Sequence, residues 1–513
     1  MAPGQDQPTQ SALTWATTVL SRRRALSLAG LAAVGVAAAA CGASGSNRVG
    51  AGSSAVAQYA EMQRRRLATG RTITHTLTAA PGHADIGGVT SAAWLYDGSL
   101  PGPMLRGAVG DRMKLTVRNQ LPESTTVHWH GVRVPNDMDG VPNVTQTPFK
   151  PGAEFTYDFL LPDAGTYWYH SHGELQRGRG LYGALLVDDP HDAGDYDTEF
   201  TVVLSDWLIN RTPRQVYDGL KGGKMGGMAS GSMGGMGSMS GLKSSVLGGD
   251  AGDVTYPVYL INGRQPAAPV TFTAKPGQRA RIRLINAADD TTFRVALGGH
   301  QLEVIQSDGR AVSSVTGDAL LIGMGERYDA IVTMADGVFP LVASAEGKAA
   351  QAFAVVSTGS GSAPDPGAVP RELGGRVLTV ADLQAAEQQR LPARKLDVMM
   401  TGNLNGGMDR YTWTINGHPY PDNNPFVVRQ GNRARLTFTN RTTMYHPMHL
   451  HGHTFQIARP DGSGPRKDTT LVLPRQSVSL DFETDNPGQW FTHCHNEYHM
   501  TAGMATVLSY HTQ

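Results

Sequence analysis

Three segments of the chain share one pattern of apolar and polar positions. Each begins with a glycine, has an arginine two residues later, alternates apolar with polar side chains and closes on an asparagine; the copies are residues 110–119, 277–286 and 431–440. Alternation with a period of two is typical of a half-buried strand. The copies begin 167 and 154 residues apart, a spacing of domain size. The pattern therefore predicts three consecutive domains of one kind.

No long helical periodicity competes with the strand pattern. The composition agrees, because 62 Gly, 30 Pro and 40% hydrophobic residues are typical of a loop-rich β protein. We predict an all-β fold of three consecutive β-sandwich domains. The predicted bounds are 71–190 for the first domain, 196–360 for the second and 374–513 for the third, after a linker at 41–70.

The first and third predicted domains carry histidine pairs at corresponding places. One pair lies nine and eleven residues beyond the closing asparagine, and the other lies five and seven residues beyond a later glycine. These positions are His128, His130, His170 and His172 in the first domain and His449, His451, His493 and His495 in the third. In the middle domain they are Val295, Leu297, Val342 and Ser344. We expect the middle domain to bind no metal at these positions.

Residues i and i+2 of a strand point to the same side, so each pair can direct two imidazoles at one point. Eight imidazoles from two related domains predict a metal site that the two domains share. Ten of the 17 histidines fall in these pairs and their extensions; His75, His83, His191, His300, His418 and His511 stand alone. Imidazole binds copper, zinc, iron and nickel, so the pairs alone do not fix the metal.

Cys494 indicates a second site on the opposite side of the strand, because it lies between His493 and His495. The other side chains with a suitable position are His446, His499 and Met504. Two imidazoles, a thiolate and a weak thioether describe a blue-copper electron-transfer centre, whereas zinc sites do not need this set. The first domain has Thr125, Ser171 and Gln176 at the corresponding positions, so we expect no such centre there.

The histidine-containing stretches resemble the signatures of the multicopper oxidases, the family of laccases, ascorbate oxidase and bacterial copper-tolerance oxidases. They lie at 128–131, 170–173, 446–452 and 493–504, and laccase-like stretches also occur at 281–286 and 325–329. The resemblance implies three cupredoxin-like Greek-key domains. It implies an enzyme that takes single electrons from a reducing substrate and uses four of them to reduce O2 to water.

The resemblance also implies four copper ions per chain, one type 1, one type 2 and two type 3. The implied ligands are His446, Cys494, His499 and Met504 for type 1; His128 and His449 for type 2; and His130, His170, His172, His451, His493 and His495 for the type 3 pair. Asp139 matches the acid that family members place near the three-copper cluster, and its role would be proton supply; it also suits a turn before Gly140. Many bacterial members carry a further acid where this chain has Met500, so a second proton carrier is in question, and Glu497 is left without a role. His453 matches no ligand position and would lie either behind the ligands or on the surface.

A Gly/Ser-rich segment in the middle domain bears on the substrate. Its methionines are Met225, Met228, Met233, Met236 and Met239. The composition predicts a flexible loop, but thioethers prefer Cu(I), and similar inserts occur in periplasmic cuprous oxidases. We therefore expect Cu(I) as substrate, handled by a mobile cover near the His446/His499 edge. Met444 resembles a substrate-copper methionine of those enzymes, although Thr442 stands where they have an acid.

Other functions remain open. Fe(II) or phenols could be the donor, as in a laccase, and a copper-sequestering protein with little turnover is the alternative outside the enzymes. The complete set of signatures favours an enzyme, because storage needs no ordered electron path. A nitrite-reductase-like function fits less well, because the pair at 170 and 172 would have no task.

Residues 1–40 resemble an export signal. Three arginines at 22–24 precede the uncharged stretch 25–40, in the manner of a twin-arginine signal. Cys41 follows three alanines, as at a lipoprotein processing site, so a lipid there would be the only membrane contact; a plain cleavage site beside an incidental cysteine is the alternative. We expect export to the cell envelope or periplasm. The net charge of zero gives no reason to expect a nucleic-acid partner.

Overall fold

The structure, a computed structural model, describes residues 47–189, 195–222 and 242–512. The predicted export signal, Cys41, His191 and the methionine-rich segment 225–239 lie outside these residues. The first sandwich consists of β1 (Thr72–Asp85), β2 (Thr90–Tyr96), β3 (Gly102–Ala108), β4 (Arg112–Asn119), β5 (Val127–His130), β6 (Glu154–Leu160), β7 (Gly165–Ser171) and β8 (Tyr182–Asp188). Its sheets have the strand orders β2-β1-β4-β6 and β3-β8-β7-β5.

The middle sandwich has two six-stranded sheets. Its strands are β9 (Thr198–Trp207), β12 (Val258–Ile261), β13 (Thr271–Thr273), β14 (Arg279–Asn286), β15 (Phe293–Leu297), β16 (Leu302–Ser307), β17 (Arg310–Gly317), β18 (Ala319–Ile322), β19 (Arg327–Thr333), β20 (Val338–Ala345), β21 (Ala350–Ser357) and β22 (Val377–Leu378). Their orders are β12-β9-β14-β19-β16-β17 and β13-β21-β20-β15-β18-β22. A small separate sheet pairs β10 (Lys243–Ser244) with β11 (Gly249–Asp250).

The third sandwich has one six-stranded and one five-stranded sheet. Its strands are β23 (Val398–Gly407), β24 (Thr412–Ile415), β25 (Phe426–Val428), β26 (Arg433–Asn440), β27 (His446–Leu450), β28 (Phe455–Ile457), β29 (Arg466–Lys467), β30 (Thr469–Val472), β31 (Ser477–Glu483), β32 (Gln489–Cys494) and β33 (Ala505–Tyr510). Their orders are β24-β23-β26-β31-β28-β29 and β25-β33-β32-β27-β30. The predicted all-β fold of three cupredoxin-like sandwiches is thus confirmed.

The three repeated segments form equivalent strands. β4, β14 and β26 each begin two residues after the repeated glycine and end at the repeated asparagine. Each lies between a parallel and an antiparallel neighbour. The glycines at 110, 277 and 431 have φ values of +85°, +80° and +85°, a backbone conformation that glycine adopts without strain.

The closing asparagines have one shared task. The Asn119 carboxamide donates to two backbone carbonyls, those of Glu123 and Phe149, and accepts from the N–H of Leu121. Asn286 and Asn440 make the corresponding three bonds in their own sandwiches. Each asparagine therefore satisfies buried backbone groups of the loop that leads to the next strand.

The prediction of a half-buried strand is wrong for β14, in which every residue after the first is buried. Its polar positions face the first sandwich instead of water. Arg281 and Arg283 donate to Asp329 at 2.6 and 3.1 Å, and Arg283 also donates to Thr166 Oγ1 of the first sandwich at 3.0 Å. Alternation predicted the strand correctly but not what covers its outer face.

The structure contains three α-helices among the described residues: α1 (Ser54–Leu67), α2 (Pro213–Lys221) and α3 (Glu497–Thr501). The predicted linker thus contains α1, which the sequence analysis did not predict. Gln63 of α1 donates to the carbonyl of Arg133 in the first sandwich at 3.1 Å, and the N–H of Val49 donates to Tyr510 of the third at 2.8 Å. No helix within the described ranges is long and apolar enough to cross a membrane.

One strand departs from the predicted domain division. β22, which lies within the predicted third domain, pairs in parallel with β18 of the middle sandwich. The sheets of the third sandwich begin with β23 at Val398. The remaining domain bounds stay a prediction.

Asp329→Ala removes the carboxylate shared by Arg281 and Arg283 at the contact between sandwiches. Because the loss of one partner of a buried ion pair costs about 3–5 kcal/mol, we expect the urea midpoint of unfolding to fall clearly. Asp158→Ala is the matched control, since its partner Arg112 is half exposed and such pairs contribute about 1 kcal/mol or less. Equal losses in the two variants would contradict this account.

Candidate metal centre

Two pairs of antiparallel strands carry the predicted histidine pairs. On β5 and β7, His128 lies opposite His170; on β27 and β32, His449 lies opposite His493. The remaining members follow these elements: His130 ends β5, and His172, His451 and His495 come directly after the ends of β7, β27 and β32. The first and third sandwiches therefore present their imidazoles from equivalent strands.

The eight imidazoles meet between the two sandwiches. His130 stacks on His449 with ring centroids 3.9 Å apart, and His128 lies against His451 at 3.8 Å. Potential ligand atoms of His172, His451 and His493 lie within 4.8 Å of one another, as do those of His128, His449 and His451. His170 and His495 complete the group, with ring centroids 5.6 Å apart. All eight rings are buried, and the predicted shared cluster is therefore present.

The hydrogen bonds of these rings leave nitrogens free for a metal. In His128, His170 and His449, Nδ1 lies 2.8–2.9 Å from a backbone carbonyl oxygen. The Nε2 atoms of the same three rings are buried and have no hydrogen-bond partner among the described residues. An imidazole held at one nitrogen by a carbonyl, with the other nitrogen free, is the usual state of a metal-binding histidine.

Protonation does not compete for the free nitrogens of His170 and His449. Burial lowers the pKa of His170, His172 and His449 below the ordinary value. The rings are therefore neutral at pH 7, and their lone pairs are available to a soft or borderline metal ion. The donor set fits copper.

A second cluster forms on the other side of β32. The Sγ atom of Cys494 lies 3.7 Å from Nδ1 of His446 and 3.6 Å from Nδ1 of His499. α3 returns the chain towards Cys494, with Asn496 as its N-cap. The backbone N–H of Met504 donates to His499, and its carbonyl accepts from the N–H of Cys494, both at 2.9 Å. The structure thus brings together the residues that the sequence analysis grouped as a blue-copper site.

The outer nitrogen of His499 is held by the middle sandwich. Its Nε2 lies 2.9 Å from the carboxylate of Asp253, to which Tyr411 also donates at 2.5 Å. Burial lowers the pKa of His499, but the carboxylate of Asp253 and the Cys494 side chain outweigh it, and the pKa rises to about 10. Without a metal, His499 is therefore protonated at neutral pH. The ring of Trp413 covers it at a centroid distance of 4.0 Å.

The first sandwich fills the corresponding place with a closed hydrogen-bond group. Thr125 and Ser171 lie 2.8 and 2.7 Å from Oε1 of Gln176 and 3.1 Å from each other. In the middle sandwich, Val295, Leu297 and Val342 are buried core residues. Neither place offers a set of metal ligands among these residues.

Asp139 lies between two imidazoles from different sandwiches. Its carboxylate is 3.2 Å from Nδ1 of His128 and 3.1 Å from Nδ1 of His451, and it is fully buried. It ends the 3₁₀ turn Asn136–Met138, before Gly140 at φ +82°. Asp139 therefore occupies a turn and also contacts the imidazole cluster.

Sequence reasoning missed Asp468. Its carboxylate lies 3.2 Å from Nε2 of His130 and 3.5 Å from Nδ1 of His449. Burial raises the pKa of Asp468, but the Arg327 guanidinium, bonded at 2.7 Å, holds it well below the ordinary value. Arg327 lies in the laccase-like stretch 325–329, which was the available signal; Asp468 itself lies in no recognised spacing.

A buried group around Arg177 was also missed. Arg177 lies 3.0 Å from Nδ1 of His495, 3.0 Å from Asp289 and 3.2 Å from Glu497. Burial raises the pKa of both acids. The sequence analysis left Glu497 without a role. In the structure it contacts Arg177, which in turn contacts His495 of the imidazole cluster.

Three residues near the predicted ligands are also placed by the structure. The surface alternative for His453 is wrong, because the residue is 2% exposed and its Nε2 lies 2.6 Å from the Tyr510 hydroxyl. Thr442 lies 2.9 Å from Nε2 of His446, so it orients this imidazole. Met444 is buried two residues earlier than His446.

Comparison with known proteins agrees with this geometry. Three models of the family described as multicopper oxidase match residues 78–192, 198–360 and 394–513. The chain is 49% identical to a multicopper oxidase of Mycobacterium tuberculosis, named MmcO, over 95% of this chain and 96% of the relative. The chain belongs to the multicopper oxidase family. This oxidase is therefore an oxidoreductase, and the family's metal is copper, which its histidine clusters fit.

More distant relatives of the oxidase carry other names. It is 28% identical to copper resistance protein A of Escherichia coli over 83% of this chain and 91% of the relative. The crystal structure of a laccase from Botrytis aclada matches with a TM-score of 0.71 and 27% identity, covering 90% of this chain and 91% of the laccase.

Asp253→Asn should make copper binding at the Cys494 site less dependent on pH. In the wild type, copper must displace the proton that His499 retains below pH about 10. The variant lacks the charge that holds this proton. For each unit of rising pH, its affinity for copper should therefore increase by a factor roughly tenfold smaller than in the wild type. Chelator competition at pH 6 and 8, read at the thiolate–copper absorption, measures this difference.

Asp409→Asn is the control, because Asp409 is an exposed acid two residues before Tyr411. It should keep the wild-type pH dependence. An Asp253→Asn protein with an unchanged slope would contradict the role of the carboxylate.

Proposed function

We propose that this oxidase uses Cu(I) as its electron donor, reduces O2 to water and serves copper tolerance. The proposed type 1 ligands are His446, Cys494, His499 and Met504, the proposed type 2 ligands are His128 and His449, and the proposed type 3 ligands are His130, His170, His172, His451, His493 and His495. This gives four copper ions per chain. The observation that carries the proposal is that β32 and the residue after it bear ligands of both sites, Cys494 on one side and His493 and His495 on the other.

Copper bound in these sites supplies one-electron oxidation of the donor and four-electron reduction of O2. The chain contributes the ligand positions and the connection. Cys494 is joined through the backbone to His493 and His495, so a short covalent path connects its sulfur to two imidazoles of the other cluster. Burial keeps bulk water away from both clusters.

Electron entry requires contact with residues that cover His499. His446 and His499 are both fully buried, so a donor would reach this edge through the residues that cover it. Asp253 holds Nε2 of His499, and Tyr411 donates to the same carboxylate. A donor bound near Asp253 would therefore be one hydrogen bond from the type 1 ligand.

Asp139 is the proposed proton carrier. A carboxyl group in contact with His128 and His451 can take up a proton and release it beside the site where O2 is reduced. Glu497 is a second candidate, because it is buried beside Arg177, which contacts His495.

The surroundings of the methionine-rich segment support Cu(I). The segment itself lies outside the described residues, but α2 precedes it, and Tyr217 of α2 packs against Tyr411 with ring centroids 6.1 Å apart. After it, Asp250 of β11 forms a bridge with Met444. Both flanks thus lie near Asp253, and Met225, Met228, Met233, Met236, Met239 and Met444 are the proposed Cu(I) contacts.

A laccase-type phenol oxidase is the alternative supported by the laccase relatives, and a copper-sequestering protein is the alternative outside the enzymes. The relatives named copper resistance protein A favour copper tolerance. We further propose export by the twin-arginine route to the periplasm, with a lipid on Cys41 as the membrane anchor. These features rest on sequence outside the described residues.

Asp139→Asn should slow O2 reduction by roughly 10²-fold or more, the usual loss when an acid–base group is removed, while the blue absorption stays. Stopped-flow reoxidation of the fully reduced enzyme measures this step. Asp137→Asn, two residues earlier, is the matched control and should reoxidise at the wild-type rate. Cys494→Ser should lose the blue band instead. Reoxidation of Asp139→Asn at the wild-type rate would contradict the assignment.

Deletion of residues 225–239 tests the substrate. If the methionines gather Cu(I), the deletion should lower kcat/KM for Cu(I) several-fold and leave kcat/KM for a bulky phenol equal or higher. O2 consumption with Cu(I), Fe(II) and a phenol, on both proteins, gives the comparison.

A variant with the five methionines replaced by leucine keeps the length and separates thioether chemistry from steric cover. It should lose Cu(I) activity as the deletion does. An unchanged ratio of Cu(I) to phenol activity in both variants would leave the segment as a spacer and remove the main argument for a cuprous substrate.

A further inference from the structure

Three arginines, one from each sandwich, meet where the sandwiches join. We call Arg133, Arg310 and Arg466 the triple-arginine junction. Asp163 accepts both terminal N–H groups of Arg310 at 3.0 and 2.7 Å and lies 3.5 Å from Nε of Arg133. Thr454 accepts from Arg310 through its hydroxyl at 3.2 Å and from Arg466 through its carbonyl at 3.1 Å. The three guanidiniums therefore form one connected group.

The junction has one positive charge too many. Its carboxylates are Asp163 and Asp485, the latter 3.3 Å from Arg133. Within the described residues, Arg466 bonds only to the backbone carbonyls of Gln389 and Thr454. Two carboxylates thus face three guanidiniums, and no acid pairs with Arg466 in the described part of the chain.

The junction also holds unused hydrogen-bond donors. The Nε atoms of Arg310 and Arg466 are buried and lack a hydrogen-bond partner among the described residues. The buried Nε of Arg133 makes no hydrogen bond there either, and its nearest acceptor is the Asp163 carboxylate at 3.5 Å. Unsatisfied buried donors are rare, and an unbalanced buried charge is costly. Burial, followed by repulsion from Arg310 and Arg133, lowers the pKa of Arg466 to about 9. Since a guanidinium stays charged at neutral pH, the surplus calls for an anion.

We propose that the triple-arginine junction binds one small monovalent inorganic anion, of which chloride is the physiological example. A single negative charge balances the surplus, and such an ion accepts N–H groups without needing a donor of its own. The side chains of Arg133 and Arg310 remain 18% and 12% exposed, so the ion can enter from solvent. The anion would stabilise the assembly of the three sandwiches, a role separate from electron transfer.

Thermal unfolding of the copper-loaded enzyme tests the proposal, with sodium chloride compared to sodium gluconate at equal ionic strength. A ligand that binds only the folded state stabilises it by mass action, so saturating chloride should raise the midpoint by about 2–4 °C. Arg466→Met removes the surplus charge and keeps the packing of the side-chain stem, so it should abolish the difference. The matched control Arg371→Met, at a side chain 93% exposed, should keep it.

Crystals of the wild-type enzyme soaked in bromide provide a second measurement that needs no variant. An anomalous peak in contact with Arg310 or Arg466 is expected. Bromide found only elsewhere would overturn the proposal and leave water as the occupant. A midpoint that does not respond to chloride would also overturn it, as would a chloride response that persists in Arg466→Met, since the anion would then act at another place such as the copper ions.

Discussion

One buried arginine joins the three sandwiches beside the imidazole cluster. Arg327, on β19 of the middle sandwich, donates Nε to the carbonyl of Thr166 in the first and both terminal nitrogens to Asp468 in the third. A side chain at Gly131 would lie 2.2 Å from this guanidinium, so only glycine fits there. Ligands from two sandwiches can share a metal site only if the sandwiches keep a fixed relative position. The middle sandwich, without matching ligands of its own, supplies that constraint.

Burial has different effects on the pKa values of the imidazole ligands and of the acids that surround them. In the cluster shared by the first and third sandwiches, burial lowers the pKa of imidazoles such as those of His170, His172 and His449, because a buried imidazolium would be poorly solvated. His499 is the opposite case, because Asp253 holds its proton. Around the cluster, burial raises the pKa of the acids and an arginine opposes it. Arg327 outweighs burial and holds the pKa of Asp468 well below its ordinary value. Arg177, shared between Asp289 and Glu497, does not outweigh burial, so both of their pKa values stay raised. The imidazoles of the shared cluster therefore lie between Asp468, which is ionised, and the pair Asp289 and Glu497, which can hold a proton.

Local patterns predicted the elements and most of the cluster. The repeated strands followed from glycine, alternation and asparagine, all of which act within a few residues, and the histidine pairs followed from the two-residue period of a strand. Asp253, Asp468 and Arg177 could not be found this way, since each acts on a histidine through the packing of different sandwiches: Arg177 and His495 are 318 residues apart, and Asp253 and His499 are 246 apart. α1 was missed because its role depends on the surfaces it contacts.

The sharing of β32 by the two clusters also bears on folding fidelity. In the observed register, His449 pairs with His493 and Met448 with Cys494. A slip of one residue against β27 would turn every side chain of β32 to the other face, so the sulfur would enter the space between sandwiches and the imidazoles would point into the interior of one. Both clusters would be lost together. A slipped strand would therefore hold neither set of ligands in place, so the pairing of β32 with β27 is a condition for both clusters.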